Sequence, residues 1–170
     1  MRLFIAIQLN DEMREALTAL QGDLQFIGMR GRYVPEENLH LTLAFIGEYS
    51  EPQAVLDVLS SVRFEPFDIS LDGAGSFGDI WWAGIKASDQ MSSLVRQLRH
   101  ALSESGIPFD KKRFKPHVTL VRSARWDGHA LECTYVEPVQ MTVVRISLMR
   151  SERGKHRMIY TELGAILASE

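Results

Sequence analysis

The sequence predicts an α+β fold made of two similar lobes. Segments with the alternation of a β-strand and segments with the spacing of an amphipathic helix follow each other along the chain. The order strand, helix, loop and His-x-Thr-Leu strand occurs twice, and the second histidine, His117, lies 77 positions after the first, His40. The 170 residues are 45% hydrophobic, which is enough for one core, and no Gly/Ser-rich linker interrupts them. We therefore predict a single domain, residues 1–170, whose two lobes are related by a pseudo-two-fold axis.

The first half of the chain predicts four strands and two helices. Asn10 or Asp11 can cap a helix whose apolar residues recur at helical spacing. Ser50 is the expected cap of a shorter helix that ends near Val62, and Pro52 lies in its first turn, where a missing N–H is tolerated. The strands are expected at residues 3–9, 39–46, 67–71 and 80–86.

The second half repeats this pattern. Ser88 or Asp89 can cap an amphipathic helix, and Gly106 ends it. Two later strands, at 142–149 and 157–163, are joined by the turn-like stretch SERGKH and predict a hairpin. At the 77-residue offset of the histidines, the other expected matches are Ala6 with Ala83, Phe4 with Trp81, and Asp11 with Ser88.

Composition excludes several classes of protein. A charged content of 24% argues against a disordered tail or a membrane protein, and a net charge of -3 argues against broad affinity for duplex nucleic acid. The apolar run at the start is too short for a signal peptide, which predicts a cytoplasmic protein. The single cysteine, Cys133, provides neither a disulfide framework nor a Cys-based zinc site.

The repeated His-x-Thr segments are the strongest functional signal. Alternate residues of a strand share a face, so His40 lies beside Thr42, and His117 lies beside Thr119. The opposite face of the first strand is expected to hold the core residues Leu41, Leu43 and Phe45. Two imidazoles across a cleft can serve as general base and general acid near neutral pH, and threonine hydroxyls can donate to phosphate oxygens. The pattern therefore favours a shared phosphate site over a purely structural repeat.

The two motifs resemble those of a known family. HLTLAFIGE from His40 and HVTLVR from His117 are similar to the paired motifs of the 2H phosphoesterase superfamily. RLFIAIQLND and VPEENLHLTLAFIGE are similar to segments of its bacterial and archaeal RNA 2′,3′-cyclic phosphodiesterases, also called 2′-5′ RNA ligases. This resemblance implies two antiparallel sheets around a central cleft, with the helices packed outside. It also implies hydrolysis of an RNA 2′,3′-cyclic phosphate to a 2′-phosphate, without a metal or other cofactor, and possible reversible 2′-5′ ligation.

The resemblance assigns roles to five residues. His40 matches the proton donor, His117 the proton acceptor, and Thr42, Thr119 and Arg122 the phosphate-binding residues. Near-symmetric halves leave the two histidine roles exchangeable on the residues alone. Strict alternation points Arg122 towards the core, so its assignment requires the strand to end, twist or bulge after Leu120.

Other residues are candidates for contact with RNA. A basic loop before His117 can attract RNA phosphates, although a solvated loop explains its charge equally well. Aromatic residues there and in the connection 28–37 could stack a base. The candidates are Arg32, Tyr33, Phe109, Lys112, Phe114 and Lys115. Of the adjacent Trp81 and Trp82, at most one can face the cleft.

Three functions remain open from the sequence. The first is an enzyme acting on RNA ends that carry a 2′,3′-cyclic phosphate, expected to be monomeric. The second is a related phosphodiesterase that opens the cyclic phosphate of a small nucleotide. The third is a module that binds an RNA end or a nucleotide without turning it over, which needs phosphate donors but no acid and base.

Overall fold

A computed structural model describes residues 1–127 and 135–170, and in those residues it contains three α-helices and nine β-strands. The elements in chain order are β1 (Arg2–Gln8), α1 (Asp11–Phe26), β2 (Arg30–Tyr33), a short 3₁₀ helix (Glu36–Asn38), β3 (His40–Glu48), α2 (Pro52–Ser60), β4 (Phe67–Phe77), β5 (Ile80–Ile85), α3 (Asp89–Glu104), β6 (His117–Arg125), β7 (Gln140–Val143), β8 (Arg145–Arg153) and β9 (Met158–Leu167).

The strands form two sheets in which every pair is antiparallel. The first sheet has the order β3-β1-β8-β9, and the second has the order β2-β6-β5-β4-β7. The two histidine strands, β3 and β6, contact each other between the sheets. The predicted α+β class with two antiparallel sheets is therefore confirmed.

The two lobes exchange strands. The order β3-β1-β8-β9 has the same pattern as β6-β5-β4-β7, which is the structural form of the predicted repeat. However, β4 comes from the first half of the chain and joins the second sheet, whereas β8 and β9 come from the second half and complete the first sheet. Helix α1 contacts β6 and helix α3 contacts β3, so each helix packs on the sheet of the other lobe.

The repeat has three offsets: 77 for the histidine strands, 78 for the helices and 76 for β1 and β5. The cap of α1 is Asn10, whose side chain accepts from the Met13 N–H, and the cap of α3 is Ser88, 78 positions later, which accepts from Met91. Both helices are 16 residues long, and both are followed by a glycine with positive φ, Gly28 and Gly106. The expected match of Asp11 with Ser88 is wrong by one residue, because the loop that leads to His117 is one residue shorter than its counterpart. The expected matches of Phe4 with Trp81 and of Ala6 with Ala83 are wrong by one residue in the other direction. Ala6 lies opposite Thr42 as Trp82 lies opposite Thr119, so β1 and β5 correspond at an offset of 76.

Three expectations for single elements are also wrong. The N-terminal position of α2 is occupied by Glu51, not by the expected Ser50, and no side chain caps it, although Pro52 does begin the helix. The connection 28–37 contains the edge strand β2, which the sequence pattern does not reveal. The expected strand 142–149 is divided at Val144 into β7 and β8, which belong to different sheets. The hairpin of β8 and β9 is confirmed.

One continuous core joins the two lobes. Buried residues of β1, β3 and β8 from the first sheet and of β5 and β6 from the second belong to the same cluster as the buried faces of all three helices. Trp81 is fully buried in it. The histidines lie on the other face of each sheet, so the helices support the sheets from behind and leave the histidine faces open to the cleft.

Candidate active site

His40 is held by two hydrogen bonds from its own stretch of chain. Its Nδ1 lies 2.7 Å from the carbonyl oxygen of Asn38, and its Nε2 lies 2.9 Å from Oγ1 of Thr42. A carbonyl can only accept, so Nδ1 carries a proton and donates it. In the neutral ring Nε2 therefore accepts from the Thr42 hydroxyl, and in the protonated ring it donates to Thr42 Oγ1.

His117 is held in the same way. Its Nδ1 lies 2.6 Å from the carbonyl oxygen of Lys115, which is again two residues before the histidine. Its Nε2 is then the atom available for proton transfer. Thr119 follows on the same half-buried face of β6 as His117. The structure thus gives the two histidines equivalent anchors at equivalent places of two facing strands.

A β-bulge places Arg122 on the same face as His117. Thr119 lies opposite Trp82 while Val121 lies opposite Trp81, so Leu120 is an extra residue in β6. Leu120 and Val121 are consequently both buried, and Arg122 is exposed. Strict alternation, which directed Arg122 to the core, is therefore wrong at this point, and the bulge that its assignment requires is present. The residue after it, Ser123, has a positive φ of 52°.

The same bulge occurs in β3. Thr42 lies opposite Ala6 and Ala44 lies opposite Ile5, so Leu43 is the extra residue. The expectation that Phe45 faces the main core is wrong, because the bulge turns it to the His40 face. There it packs in a separate cluster with Phe4, Ala6, Met149 and Tyr160. Phe45 occupies in the first lobe the position that Arg122 occupies in the second.

Aromatic rings surround His40. The Phe4 ring centroid lies 4.9 Å from that of His40, and Tyr160 lies 5.2 Å away in an edge-on arrangement. Neither ring was among the residues predicted from the sequence. Phe4 could have been found, because it lies at an alternating position of the strand that pairs with β3. Tyr160 arrives from the distant β9, and only the strand exchange brings it here.

His117 has a different aromatic neighbourhood that includes a cation. The Phe77 and Trp82 ring centroids lie 5.2 and 5.9 Å from His117. Nζ of Lys115 lies 4.9 Å from the Trp82 ring centroid and 5.4 Å from that of Phe77. Trp82 faces the site, whereas Trp81 faces the core. This agrees with the expectation that at most one of the two faces the cleft. Trp82 is the counterpart of Ala6, because Trp82 lies opposite Thr119 as Ala6 lies opposite Thr42.

Electrostatics link the histidines and Arg122. Burial lowers the pKa of His40, and the positive charges of Arg122 and His117 lower it further, while the hydrogen bond to Asn38 acts in the opposite direction. Arg122 and His117 thus lie near enough to His40 to lower its pKa. A small pocket beside His40 is lined in part by Gln8 and Tyr160.

The predicted RNA-contact residues divide into two groups. Arg32 lies opposite Arg122 in the pairing of β2 with β6, so both side chains share the face of His117. Lys115 also lies beside His117. These two are placed with the site residues.

For the other four, contact with RNA stays a prediction. Tyr33 is partly buried against the core, and its hydroxyl donates to the Met29 carbonyl at 2.7 Å. Phe109 and Phe114 are half-buried against the same core. Lys112 is exposed, and its carbonyl accepts from Arg99. The sequence of this loop alternates basic and aromatic residues, and that pattern does not indicate that Phe109 and Phe114 pack against the core.

The part of the chain that the structure describes contains neither a metal-ligating cluster nor a membrane-spanning helix. Within residues 1–127 and 135–170, no group of three or more His, Cys, Asp or Glu side chains is arranged to hold a metal ion. Over the same part of the chain, no helix is both long and apolar enough to cross a membrane. Cys133 lies outside the described residues.

Comparison with known proteins identifies the family. The model of the 2′-5′ RNA ligase superfamily matches residues 7–155. The chain belongs to the 2′-5′ RNA ligase superfamily. Two relatives called RNA 2′,3′-cyclic phosphodiesterase, from Thermotoga maritima and Escherichia coli, are 30% and 37% identical to it. The alignments cover 96% and 95% of this chain, respectively, and 93% of each relative.

A solved structure supports membership of the 2′-5′ RNA ligase superfamily. Escherichia coli LigT complexed with 3′-AMP superimposes with a TM-score of 0.85 over 99% of this chain and 98% of LigT, with 30% of the superimposed residues identical. The chain, including its exchanged strands, therefore shares its fold with LigT over nearly its full length.

Proposed function

We propose that the protein hydrolyses the 2′,3′-cyclic phosphate at the end of an RNA strand and leaves a 2′-phosphate. The observation that carries this proposal is the pair of histidines on facing strands, each with Nδ1 bound to the carbonyl two residues before and each followed by a threonine on the same face. The names of the relatives supply the substrate class. The same site, run in reverse with a 5′-hydroxyl in place of water, would form a 2′-5′ linkage.

The proposed reaction is an in-line displacement at phosphorus. Neutral His117 accepts a proton from water through Nε2 as the water oxygen bonds to phosphorus. The bond from phosphorus to O3′ breaks, and protonated His40 gives its Nε2 proton to O3′. Thr42, Thr119 and Arg122 donate to the non-bridging oxygens, where negative charge must be stabilised. The step balances: His117 begins neutral and ends protonated, whereas His40 begins protonated and ends neutral.

The surroundings of His40 bear on which histidine is the acid. Its lowered pKa favours the neutral ring in the free protein, which suits a base. An anionic phosphate bound between the histidines has the opposite effect, because a nearby negative charge favours the imidazolium. We therefore retain His40 as the proton donor in the complex with substrate.

The first experiment tests the reaction itself. Chelator-treated protein is incubated with an oligoribonucleotide that ends in a 2′,3′-cyclic phosphate, and 2′-phosphate is resolved from 3′-phosphate. We expect 2′-phosphate from the wild type, and its loss in both His40→Ala and His117→Ala, whereas His100→Ala on the exposed side of α3 remains active. Turnover of a nucleoside 2′,3′-cyclic monophosphate but not of the oligonucleotide would replace RNA with a small nucleotide as the substrate. Binding of the cyclic end without turnover would indicate a binding module.

The second experiment assigns the roles. A base must be deprotonated, so its removal abolishes the acidic limb of the dependence of kcat on pH, and removal of the acid abolishes the alkaline limb. We expect residual activity of His40→Ala to lack the alkaline limb and that of His117→Ala to lack the acidic one. The opposite result would exchange the two roles and leave the rest of the proposal intact.

A further inference from the structure

A large basic hollow lies on the first sheet beyond the histidine site. Its volume is about 560 Å³, which is within the range of ligand-binding pockets. We call it the basic hollow, and its lining includes Arg2, Arg150, Arg153, Ser151 and the two acidic residues Glu48 and Glu152. None of these residues takes part in the proposed reaction.

Strand geometry places the basic hollow on the same face as His40. Phe4 and Met149 pack with Phe45 and Tyr160 on that face. Arg2 and Ser151 lie two residues further along β1 and β8 and are directly opposite each other, so they share this face.

The hollow continues from the aromatic cluster at His40. The Arg2 guanidinium carbon lies 5.2 Å from the ring centroid of Phe45, which belongs to that cluster. Two residues of a strand span about 7 Å, so the hollow begins about that distance beyond Phe4, whose ring contacts His40. This separation is short enough for one RNA strand to occupy both the histidine site and the hollow.

The charge of the hollow favours an anion. Its acidic residues, Glu48 and Glu152, are already paired, at 2.8 Å with the N-terminal ammonium and at 3.1 Å with Arg150. Among the described residues no carboxylate lies within ion-pair distance of Arg2 or Arg153, and both are exposed. The N-terminal ammonium lowers the pKa of Glu48, and Arg2 interacts with that carboxyl only through the longer-range charge that helps to lower this pKa. Two guanidinium groups that form no ion pair within the described residues, in a chain of net charge -3, are a local positive site that matches phosphate.

We propose that the basic hollow binds the phosphodiester backbone of the RNA strand whose cyclic phosphate lies between the histidines. Arg2 and Arg153 donate to phosphates of the nucleotides that precede the reacting end, and Ser151 can add a hydroxyl donor. This inference rests on the proposed function, since it concerns the remainder of the same substrate. It predicts that an oligonucleotide is used better than a nucleoside cyclic monophosphate, which has no preceding phosphate.

The test compares two substrates of different length. Values of kcat/KM are measured for a tetraribonucleotide ending in a 2′,3′-cyclic phosphate and for a nucleoside 2′,3′-cyclic monophosphate, with wild type, Arg2→Gln, Arg153→Gln and the double variant. Arg96→Gln on the exposed surface of α3 is the control for loss of one charge. We expect the double variant to lose roughly tenfold on the tetranucleotide and less than twofold on the mononucleotide, with a shallower dependence on salt.

Each outcome separates this inference from the proposed function. Equal losses on both substrates, or losses no larger than those of Arg96→Gln, would overturn the subsite while leaving the reaction in place. If the wild type hydrolyses neither substrate, the proposed function fails, and fluorescence anisotropy with a labelled tetranucleotide bearing a 2′-phosphate decides the subsite. In that case, if the double variant binds the labelled tetranucleotide as tightly as the wild type does, the proposed RNA subsite is overturned. Thermal unfolding of each variant shows whether a loss comes from misfolding.

Discussion

The two histidines differ in their surroundings although their anchors are the same. His40 is half-buried between Phe4 and Tyr160, whereas His117 lies beside Lys115 and the exposed Phe77. A symmetric pair of imidazoles would exchange roles freely. The different neighbours remove this equivalence, since Tyr160 and Phe77 come from strands that the two lobes received in the exchange.

The lowered pKa of His40 predicts a pH dependence of stability. The folded state binds fewer protons at His40 than the unfolded state does once the pH falls below the ordinary histidine value of about 6.5. The free energy of unfolding should therefore fall as the pH decreases from 7 towards 5, by at most about 1.4 kcal/mol per pH unit from this group. Urea titrations of wild type and His40→Gln measure it. We expect the free energy of unfolding to depend less on pH in His40→Gln than in the wild type, and equally in His100→Gln. If it depends on pH equally in all three proteins, His40 is not the group responsible.

Arg122 is predicted to act on both the phosphate and His40. Loss of a donor to the charged transition state typically costs roughly 100-fold in rate, so Arg122→Ala should lower kcat by about that factor. Arg122→Lys should restore only part, because an ammonium cannot make the two parallel bonds of a guanidinium. Since the Arg122 charge lowers the pKa of His40, Arg122→Ala should also raise that pKa in an NMR titration.

A control on the same strand makes the Arg122 prediction specific. Arg125 is also exposed on β6, but it lies three residues further from His117, opposite Arg30. Arg125→Ala should change kcat less than twofold and leave the pKa of His40 where it is. A similar loss of kcat in both variants would mean that general surface charge, and not a phosphate contact, explains the effect.

At the scale of elements, the caps of the two matched helices make a direct comparison possible. Asn10 and Ser88 each accept a backbone N–H at the start of a 16-residue helix, at 2.9 and 3.2 Å. Removing such a cap costs about 1 kcal/mol, so Asn10→Ala and Ser88→Ala should each lower the free energy of unfolding by that amount. Ser50→Ala is the matched control, because Ser50 precedes α2 without capping it. If Ser50→Ala lowers the free energy of unfolding as much as the other two substitutions, loss of a helix cap does not explain the effect.

The sequence predicts most elements because their signals are local. The caps of α1 and α3, the glycine that follows α3 and the SERGKH turn each depend on a few neighbouring residues. The edge strand β2 has no such signal, since its four residues are polar or partly exposed and are ordered by pairing with β6. The break at Val144 is equally invisible, because one alternating run continues across two strands of different sheets.

The candidate site was predictable in its residues but not in its geometry. The repeated motif identifies the histidines and threonines, since the spacing itself sets their common face. The bulge at Leu120 depends on how β5 pairs with β6, so strict alternation gave the wrong direction for Arg122 and, in the other lobe, for Phe45. The rings of Tyr160 and Phe77 were missed because their distance along the chain from the histidines gives no hint of contact.

At the scale of the whole molecule, the strand exchange determines what the lobes can do separately. Each sheet contains strands from both halves of the chain, and each of helices α1 and α3 packs on the other lobe's sheet. A sequence repeat reveals equivalent segments but carries no information about which copy a given strand pairs with. Any cut between the halves would leave both sheets incomplete, so we propose that the two lobes fold as one domain.

This interlocked arrangement predicts a single unfolding transition that two probes should report alike. All three tryptophans belong to the second lobe: Trp81 and Trp82 lie on β5, and the ring of Trp126, just after β6, lies 4.9 Å from that of Trp81. Tryptophan fluorescence therefore follows the second lobe, whereas far-UV circular dichroism follows the whole chain. Because the described core is continuous across both sheets, the two urea transitions should coincide.

A core substitution in the first sheet makes the prediction stricter. Ile5 is fully buried on β1, and its replacement by alanine should cost about 2–5 kcal/mol of unfolding free energy. If the lobes unfold together, Ile5→Ala shifts the fluorescence midpoint as far as the dichroism midpoint, although no tryptophan lies in its sheet. Val118→Ala, at a fully buried position of β6, is the matched change in the second sheet and should behave in the same way. A fluorescence transition that stays in place in Ile5→Ala while the dichroism transition moves would show that the lobes unfold independently despite their shared strands.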